Sequence, residues 1–136
     1  MSVEEIHKLA KSIFESQPFT RFIKAELHHI DKKSVEIRLP IREDVQQQHG
    51  YVHGGAISYL ADNAITFAGG IALGGDALTS EFKINYLKPA KGNYVAAIAK
   101  VISTGKRQSV CQCEIFSIDG DRTTLCAIAQ GTVVKI

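Results

Sequence analysis

Apolar positions along the chain follow first a helical period, then an alternating one, then a helical one again, and finally a series of alternating runs. Ile6, Leu9, Ala10, Ile13 and Phe14 recur at the three-and-four spacing of one helical face, which predicts an amphipathic helix over residues 3–15. Ser2 supplies an N-cap, Glu4 and Glu5 fall in the first turn, and Pro18 limits extension. Residues 22–30 and 34–41 flank the polar turn Asp31-Lys32-Lys33. In the second arm Val35, Ile37 and Leu39 alternate with Glu36 and Arg38, so this unit predicts a β-hairpin. Residues 42–52 are polar, carry Gln46-Gln47-Gln48 and read as a loop.

From Gly54 the period is helical. Ala56, Ile57, Leu60, Ala61, Ala64, Ile65 and Ala68 share one broad face. The segment is alanine-rich and lightly charged, as suits a helix buried against a sheet. Gly69-Gly70 and Gly74-Gly75 loosen and end it. Four strand-like runs follow, at 78–87, 94–103, 109–118 and 123–134, joined by turn-forming segments. The order is helix, hairpin, long helix, then a meander of strands. One antiparallel sheet wrapped around a long central helix satisfies it, an α+β architecture with an N-terminal amphipathic helix.

A chain of 136 residues fits one domain, residues 1–136. A net charge of +2 with scattered basic residues gives no electrostatic footprint for nucleic acid; it is compatible with an anionic small ligand. The segment Ser2-Val3-Glu4-Glu5-Ile6-His7-Lys8 lacks the basic start and apolar core of a secretory signal. The apolar run at 64–73 is interrupted by Thr66 and Gly69-Gly70, short of the roughly 20 residues of a membrane span. Cys111, Cys113 and Cys126 make an odd count without a CxxC pair. Free buried thiols and a cytoplasmic location are expected.

The chemistry-bearing stretch is Gln47 to Thr66. Gly54-Gly55 open the hydrophobic helix, where unpaired N–H groups and the positive end of the dipole suit a developing oxyanion. Glycine also lets a carbonyl approach; the competing reading is a tight turn or close packing. Asp62 lies two turns in, among apolar residues, where an unpaired carboxylate is costly. It reads as a functional carboxylate, or as a group that caps a neighbouring element or pairs with a buried lysine. Thr66, one turn later, shares its face. It either orients Asp62 or a water, or bonds its own helix carbonyl. Gly54 and Asp62 stand about 12 Å apart along the axis, whereas reacting atoms must come within about 3–3.5 Å. The two would meet only if a second chain packed antiparallel.

Gln47, His53-Gly54-Gly55, Leu60-Ala61-Asp62 and Tyr86-Leu87-Lys88-Pro89-Ala90 together resemble the PaaI-type (phenylacetate pathway) acyl-CoA thioesterases of the hotdog superfamily, over nearly the whole chain from about Phe22. The resemblance implies a hotdog fold that hydrolyses an acyl- or aryl-coenzyme A thioester to free acid and coenzyme A. Asp62 falls on the catalytic acid, as nucleophile or general base. Gly54 falls on the backbone donor at the thioester carbonyl, with Gly55 beside it, and Gln47 on the assisting amide. His53 matches the histidine that shapes the pocket, unless it only packs the turn. Many PaaI-like members carry asparagine at the Gln47 position, whereas hydroxybenzoyl-CoA-type enzymes pair glutamine with glutamate; glutamine with aspartate blurs the subgroup. Ser80, Lys88, Lys106 and Arg107 are expected to bind substrate, the cations at the coenzyme A phosphates, although a solvated hairpin tip explains Lys106 and Arg107 as well. Ile57, Tyr59, Phe67 and Phe82 are candidates for the acyl tunnel.

The separation of Gly54 and Asp62 then requires a homodimer, and its further assembly into a tetramer as a dimer of dimers is expected. Coenzyme A belongs to the substrate, so no separate cofactor is expected. His28 and His29 point to opposite faces of a strand, and HExxH and CxxC spacings are missing, so no metal is expected. Cys111 and Cys113 share one strand face as small core residues. Two rival readings are a hotdog dehydratase or hydratase and an acyl-CoA-binding sensor without turnover. The first is disfavoured because no proline falls between Pro40 and Pro89. The second is disfavoured because residues 1–20 supply no DNA-binding module.

Overall fold

The computed structural model describes residues Met1–Ile136. Helix α1 (Val3–Ser16) opens on a capping box, in which Ser2 Oγ accepts from the Glu5 N–H at 3.1 Å and Glu5 Oε1 accepts from the Ser2 N–H at 3.4 Å. It buries Ile6, Ala10 and Phe14 only; Leu9 and Ile13, expected on the same face, stay 52% and 42% exposed. A second helix, α2 (Pro18–Ile23), occupies the start of what the sequence suggested as a strand from Phe22. Pro18 stops α1 but sits at the start of the next helix, where its missing N–H and preset φ are favourable. Lys24 ends α2 in the left-handed conformation, φ 64°.

The hairpin follows as β1 (Glu26–Ile30) and β2 (Ser34–Pro40), closed by Asp31 Oδ1 accepting from the N–H groups of Lys33 at 2.7 Å and Ser34 at 2.9 Å. The next loop holds a 3-10 turn, Glu43–Val45, and an isolated bridge between Gln46 and Val52. Helix α3 (Gly54–Leu73) runs straight through Gly69-Gly70 and ends at Gly74, whose φ of 75° is the left-handed cap. Strands β3 (Ala77–Tyr86), β4 (Tyr94–Thr104), β5 (Gln108–Asp119) and β6 (Arg122–Lys135) complete one six-stranded antiparallel sheet in the order β1-β2-β4-β5-β6-β3.

That order corrects the expected meander. Of the four strands after α3 only β4, β5 and β6 pair consecutively, while β3 pairs with β6 and β4 with β2. The reason is α3, which packs across β2, β4, β5, β6 and β3 and delivers the chain to the far edge. Strand β3 is therefore an edge strand, with one side unpaired. A bulge at Ser80 sets its register, because Thr79 faces Val133 whereas Glu81 faces Thr132. Ala77 and Thr79 are half-buried before the bulge, and Phe82 and Ile84 after it. Gly131 lies opposite, where a Cβ would come within 2.7 Å of the Phe82 Cβ.

Helix α3 is long and apolar enough by composition to cross a membrane, more so than the interrupted run at 64–73 suggested. Its apolar residues instead face the chain's own sheet, with Leu60, Ala61, Ala64 and Ile65 wholly buried. Burying side chains such as Leu60 and Ile65 contributes about 2 kcal/mol each. Cys111, Cys113 and Cys126 are buried as free thiols. Burial pushes all three pKa values up, that of Cys126 to about 11, so they stay protonated and unreactive.

The helix meets β6 most closely at Gly69, where a Cβ would lie 2.7 Å from that of Val133. Gly69→Ala should destabilise the fold by about 1–3 kcal/mol through overpacking, despite alanine's better helix propensity. Urea unfolding reads this, and a gain in stability would show that the helix can shift.

Candidate active site

Two groups of polar atoms sit on α3, each tied to a different part of β3. The first surrounds the helix N-terminus. His53 is the N-cap residue (φ −61°, ψ 136°), and its Nδ1 accepts from the Gly55 N–H at 2.8 Å. A neutral ring in this arrangement carries its proton on Nε2. The His53 carbonyl accepts from Ala56 at 2.9 Å. The Gly54 N–H, as the first of the helix, has no carbonyl one turn earlier to meet. Of the two glycines, then, Gly54 keeps a free donor, whereas the Gly55 N–H expected beside it belongs to His53.

Tyr86, at the end of β3, closes over this corner. Its hydroxyl donates to the Gly54 carbonyl at 3.0 Å and lies 2.6 Å from Ser58 Oγ. A Cβ on Gly54 would stand 3.2 Å from the Tyr86 oxygen, so close packing is one reason for glycine here. Gln47 lies in the preceding loop, whose Val45 carbonyl accepts from the His53 N–H at 2.8 Å. The Gln47 Oε1 accepts from the N–H groups of His49 at 2.5 Å and Tyr51 at 3.3 Å. With its oxygen held by the loop, the side chain presents its NH₂ as a donor.

The second group centres on Asp62, which is half-buried. Its Oδ1 accepts from Thr79 Oγ1 at 2.7 Å, and no cationic side chain lies within ion-pair distance. Thr66, expected to orient Asp62, donates mainly to the Asp62 backbone carbonyl at 2.7 Å and lies 3.5 Å from the carboxylate. It reaches Asp62 through Thr79, whose hydroxyl is 2.5 Å away. The sequence reading missed Thr79 and proposed its neighbour Ser80. The bulge is the cause, since it turns Ser80 outward to face the Thr132 carbonyl at 3.4 Å. Ser58 was also missed as a site residue, and Tyr86 entered only as part of the Tyr86–Ala90 motif, with no role given to it.

Strand β3 separates the remaining candidates. Lys88 follows its C-terminal end, and its N–H donates to the Cys126 carbonyl at 3.2 Å. Lys106 and Arg107 lie in the β4–β5 turn near the other end, where the Arg107 carbonyl accepts from Lys135, the partner of Ala77. Ten residues of strand span about 30 Å, so one chain cannot gather these cations at one phosphate cluster. The tunnel candidates are mostly core residues. Ile57 is 3% exposed, Phe67 packs against Phe14, and the Tyr59 hydroxyl is bonded to Thr20 and Asn63.

The profile of the thioesterase superfamily matches residues 49–124, which include α3 and most of the sheet. The chain belongs to the thioesterase superfamily. A Saccharolobus solfataricus protein bearing the name esterase is 32% identical over 98% of this chain and 85% of its own length. The 1,4-dihydroxy-2-naphthoyl-CoA hydrolase of Escherichia coli K12 is 29% identical over 73% of this chain and 74% of its own. The PaaI protein from the E. coli phenylacetic acid degradation operon superposes with a TM-score of 0.84 at 21% identity, over 98% of this chain and 95% of that one. The hotdog fold and the PaaI-like resemblance are thus borne out, and the protein is a thioester hydrolase.

Thr79→Val keeps the side-chain shape and removes the hydroxyl from which Asp62 accepts. The half-buried carboxylate is then short of one hydrogen bond, and stability should fall by about 1–3 kcal/mol. Urea unfolding measures this; no change would mean that solvent already satisfies Asp62.

Proposed function

We propose that this thioesterase-superfamily protein hydrolyses acyl-coenzyme A thioesters at a site shared between two subunits, with Asp62 as its catalytic carboxylate. The observation that carries the reading is the division of labour along β3. Tyr86 braces the Gly54 corner and Thr79 holds Asp62, yet one rigid helix keeps these two groups about 12 Å apart. The open edge of β3 supplies the remedy. Two such edges paired antiparallel about a twofold axis set the Thr79–Asp62 end of one chain beside the Tyr86–Gly54 end of the other. A ten-residue edge strand open on one side is also an exposed template that proteins usually cover.

In that dimer the thioester carbonyl accepts from the Gly54 N–H and the Gln47 amide, which stabilise the negative charge as it forms. The partner subunit's Asp62 either attacks the carbonyl carbon or takes a proton from an attacking water. When Asp62 attacks, the carbon–sulfur bond breaks to leave an acyl–aspartyl anhydride, which water then hydrolyses to the free acid and the regenerated carboxylate. When Asp62 acts as base, water adds to the carbonyl and the same bond breaks to give the free acid directly. In both cases the water supplies the proton with which the thiolate leaves as coenzyme A. His53 holds the helix end, and Thr66 supports Asp62 through Thr79. The same symmetry carries Lys106 and Arg107 of one chain toward Lys88 of the other, which makes a phosphate site from cations that a single chain keeps apart. This chemistry needs no added cofactor. Exposed Ile102 and Ile128 offer a face for joining two dimers into a tetramer, and the buried free thiols suit a reducing cytoplasm.

Asp62→Asn keeps size and removes charge. It should abolish thiol release from a panel of acyl-CoAs while acyl-CoA still binds, and hydrolysis at the normal rate would overturn the assignment. Binding without release in the unmodified protein would instead mark a sensor. Gln47→Ala should be milder, lowering turnover by part of the roughly 10²–10³-fold effect typical of losing an oxyanion donor.

A further inference from the structure

An open cleft of about 890 Å³ lies between α2 and the N-terminus of α3, a size typical of small-molecule sites. Phe19, Phe22 and Val45 form an apolar strip along it. Phe22 is 78% and Phe19 56% exposed, unusual for large rings on structured elements. The rings are nevertheless held in place. Phe19 meets Tyr59 edge-on at 5.2 Å and Phe22 at 6.3 Å. The Tyr59 hydroxyl is in turn tied to Thr20 at 2.5 Å and Asn63 at 3.1 Å, which anchors α2 on α3.

The charge on the cleft is one-sided. Arg21, Lys24 and Arg42 line it against the single carboxylate of Asp44. Arg42 donates to the Ile23 carbonyl at 2.7 Å and the Phe22 carbonyl at 3.5 Å, so it braces α2. Its Nε is buried without a hydrogen-bond partner, 3.7 Å from an Asp44 that is 84% exposed. Arg21 donates to the Glu15 carbonyl rather than to an acid, and Lys24 makes no ion pair. The positive end of α3 adds to this field, since His53, Gly55 and Ala56 also line the cleft.

We infer that this cleft receives the acyl group, and that the acyl groups it selects carry an anionic substituent at the end remote from the thioester, as in an ω-carboxyacyl or carboxyaroyl thioester. The inference rests on the proposed placement of the carbonyl at Gly54. From there an acyl chain would run along Phe19, which packs on Tyr59 of α3, and Val45, whose carbonyl holds the His53 N–H, in a cleft that Arg21 and Lys24 also line. Coenzyme A phosphates are the other possible source of negative charge. Helix α2 has six residues and spans only about 9 Å. The extended arm between the thioester and the first phosphate matches four to five residues of chain, roughly 15 Å, too long for this cleft.

The test compares adipoyl-CoA with hexanoyl-CoA, and 4-carboxybenzoyl-CoA with 4-methylbenzoyl-CoA. The expected kcat/KM favours the charged member of each pair by roughly tenfold, the worth of a hydrogen bond to a charged group. In the Arg21→Gln, Lys24→Gln double variant that ratio should fall toward one, chiefly through a higher KM for the charged substrates, with inhibition by free coenzyme A unchanged. Equal rates for both members of each pair would overturn the inference alone. So would a variant that loses affinity for free coenzyme A and for both members equally, since the cleft would then hold phosphates. A protein that cleaves none of the four thioesters would overturn the proposed function, and this inference with it.

Discussion

A helix cannot fold back on itself, and the proposed site depends on that constraint. Helix α3 runs for 20 residues, about 30 Å, with its apolar surface sealed against five of the six strands. The sheet does not let it bend or slide, since Gly69 already touches Val133. Chemistry that joins the donor at its first residue to the carboxylate at its ninth, as proposed above, would therefore reach beyond one chain. In the proposed dimer the same rigidity is useful, because a site built from two stiff helices would lose little order when it closes on substrate.

Strand β3 translates that constraint into a site. It is the one strand that touches both functional regions of α3, through hydroxyls at its two ends, and its outer edge is free. The bulge at Ser80 matters more than its size suggests. Without it, a strict alternation from Thr79 would turn Glu81 toward the helix, and Phe82 and Ile84 would face away. With it, the strand keeps a hydroxyl under Asp62 and apolar side chains further along, opposite a glycine that leaves them room.

Much of this was readable from residues alone. The alternation of Val35, Ile37 and Leu39, the alanine-rich face of α3 and the turn chemistry placed five of the six strands and both long helices to within a residue or two. Pro18 misled, because proline ends one helix and begins another equally well, and only the extended conformation of Gln17 decides. The position of β3 was not legible, since local periodicity carries no information about which edge a strand joins. Asp62, Gly54 and Gln47 stood out by chemical incongruity or resemblance. Thr79 and Ser58 did not, and Tyr86 did so only within its motif, because polar residues on an edge strand or a helix end are ordinary until the partner they touch is known. Lys88, Lys106 and Arg107 form one group in sequence logic but stand at opposite ends of a strand in space.

Mixing two defective subunits tests the central claim most directly. Gly54→Pro deletes the donor N–H at a helix position that tolerates proline and follows a residue already extended; Asp62→Asn deletes the carboxylate. Each homodimer should be inactive in thiol release. Refolded together in equal amounts, they should regain about a quarter of wild-type activity, because half the dimers are mixed and each holds one intact site. No recovery in mixtures shown to contain mixed dimers, or an active homodimer of either variant, would contradict a site shared between chains.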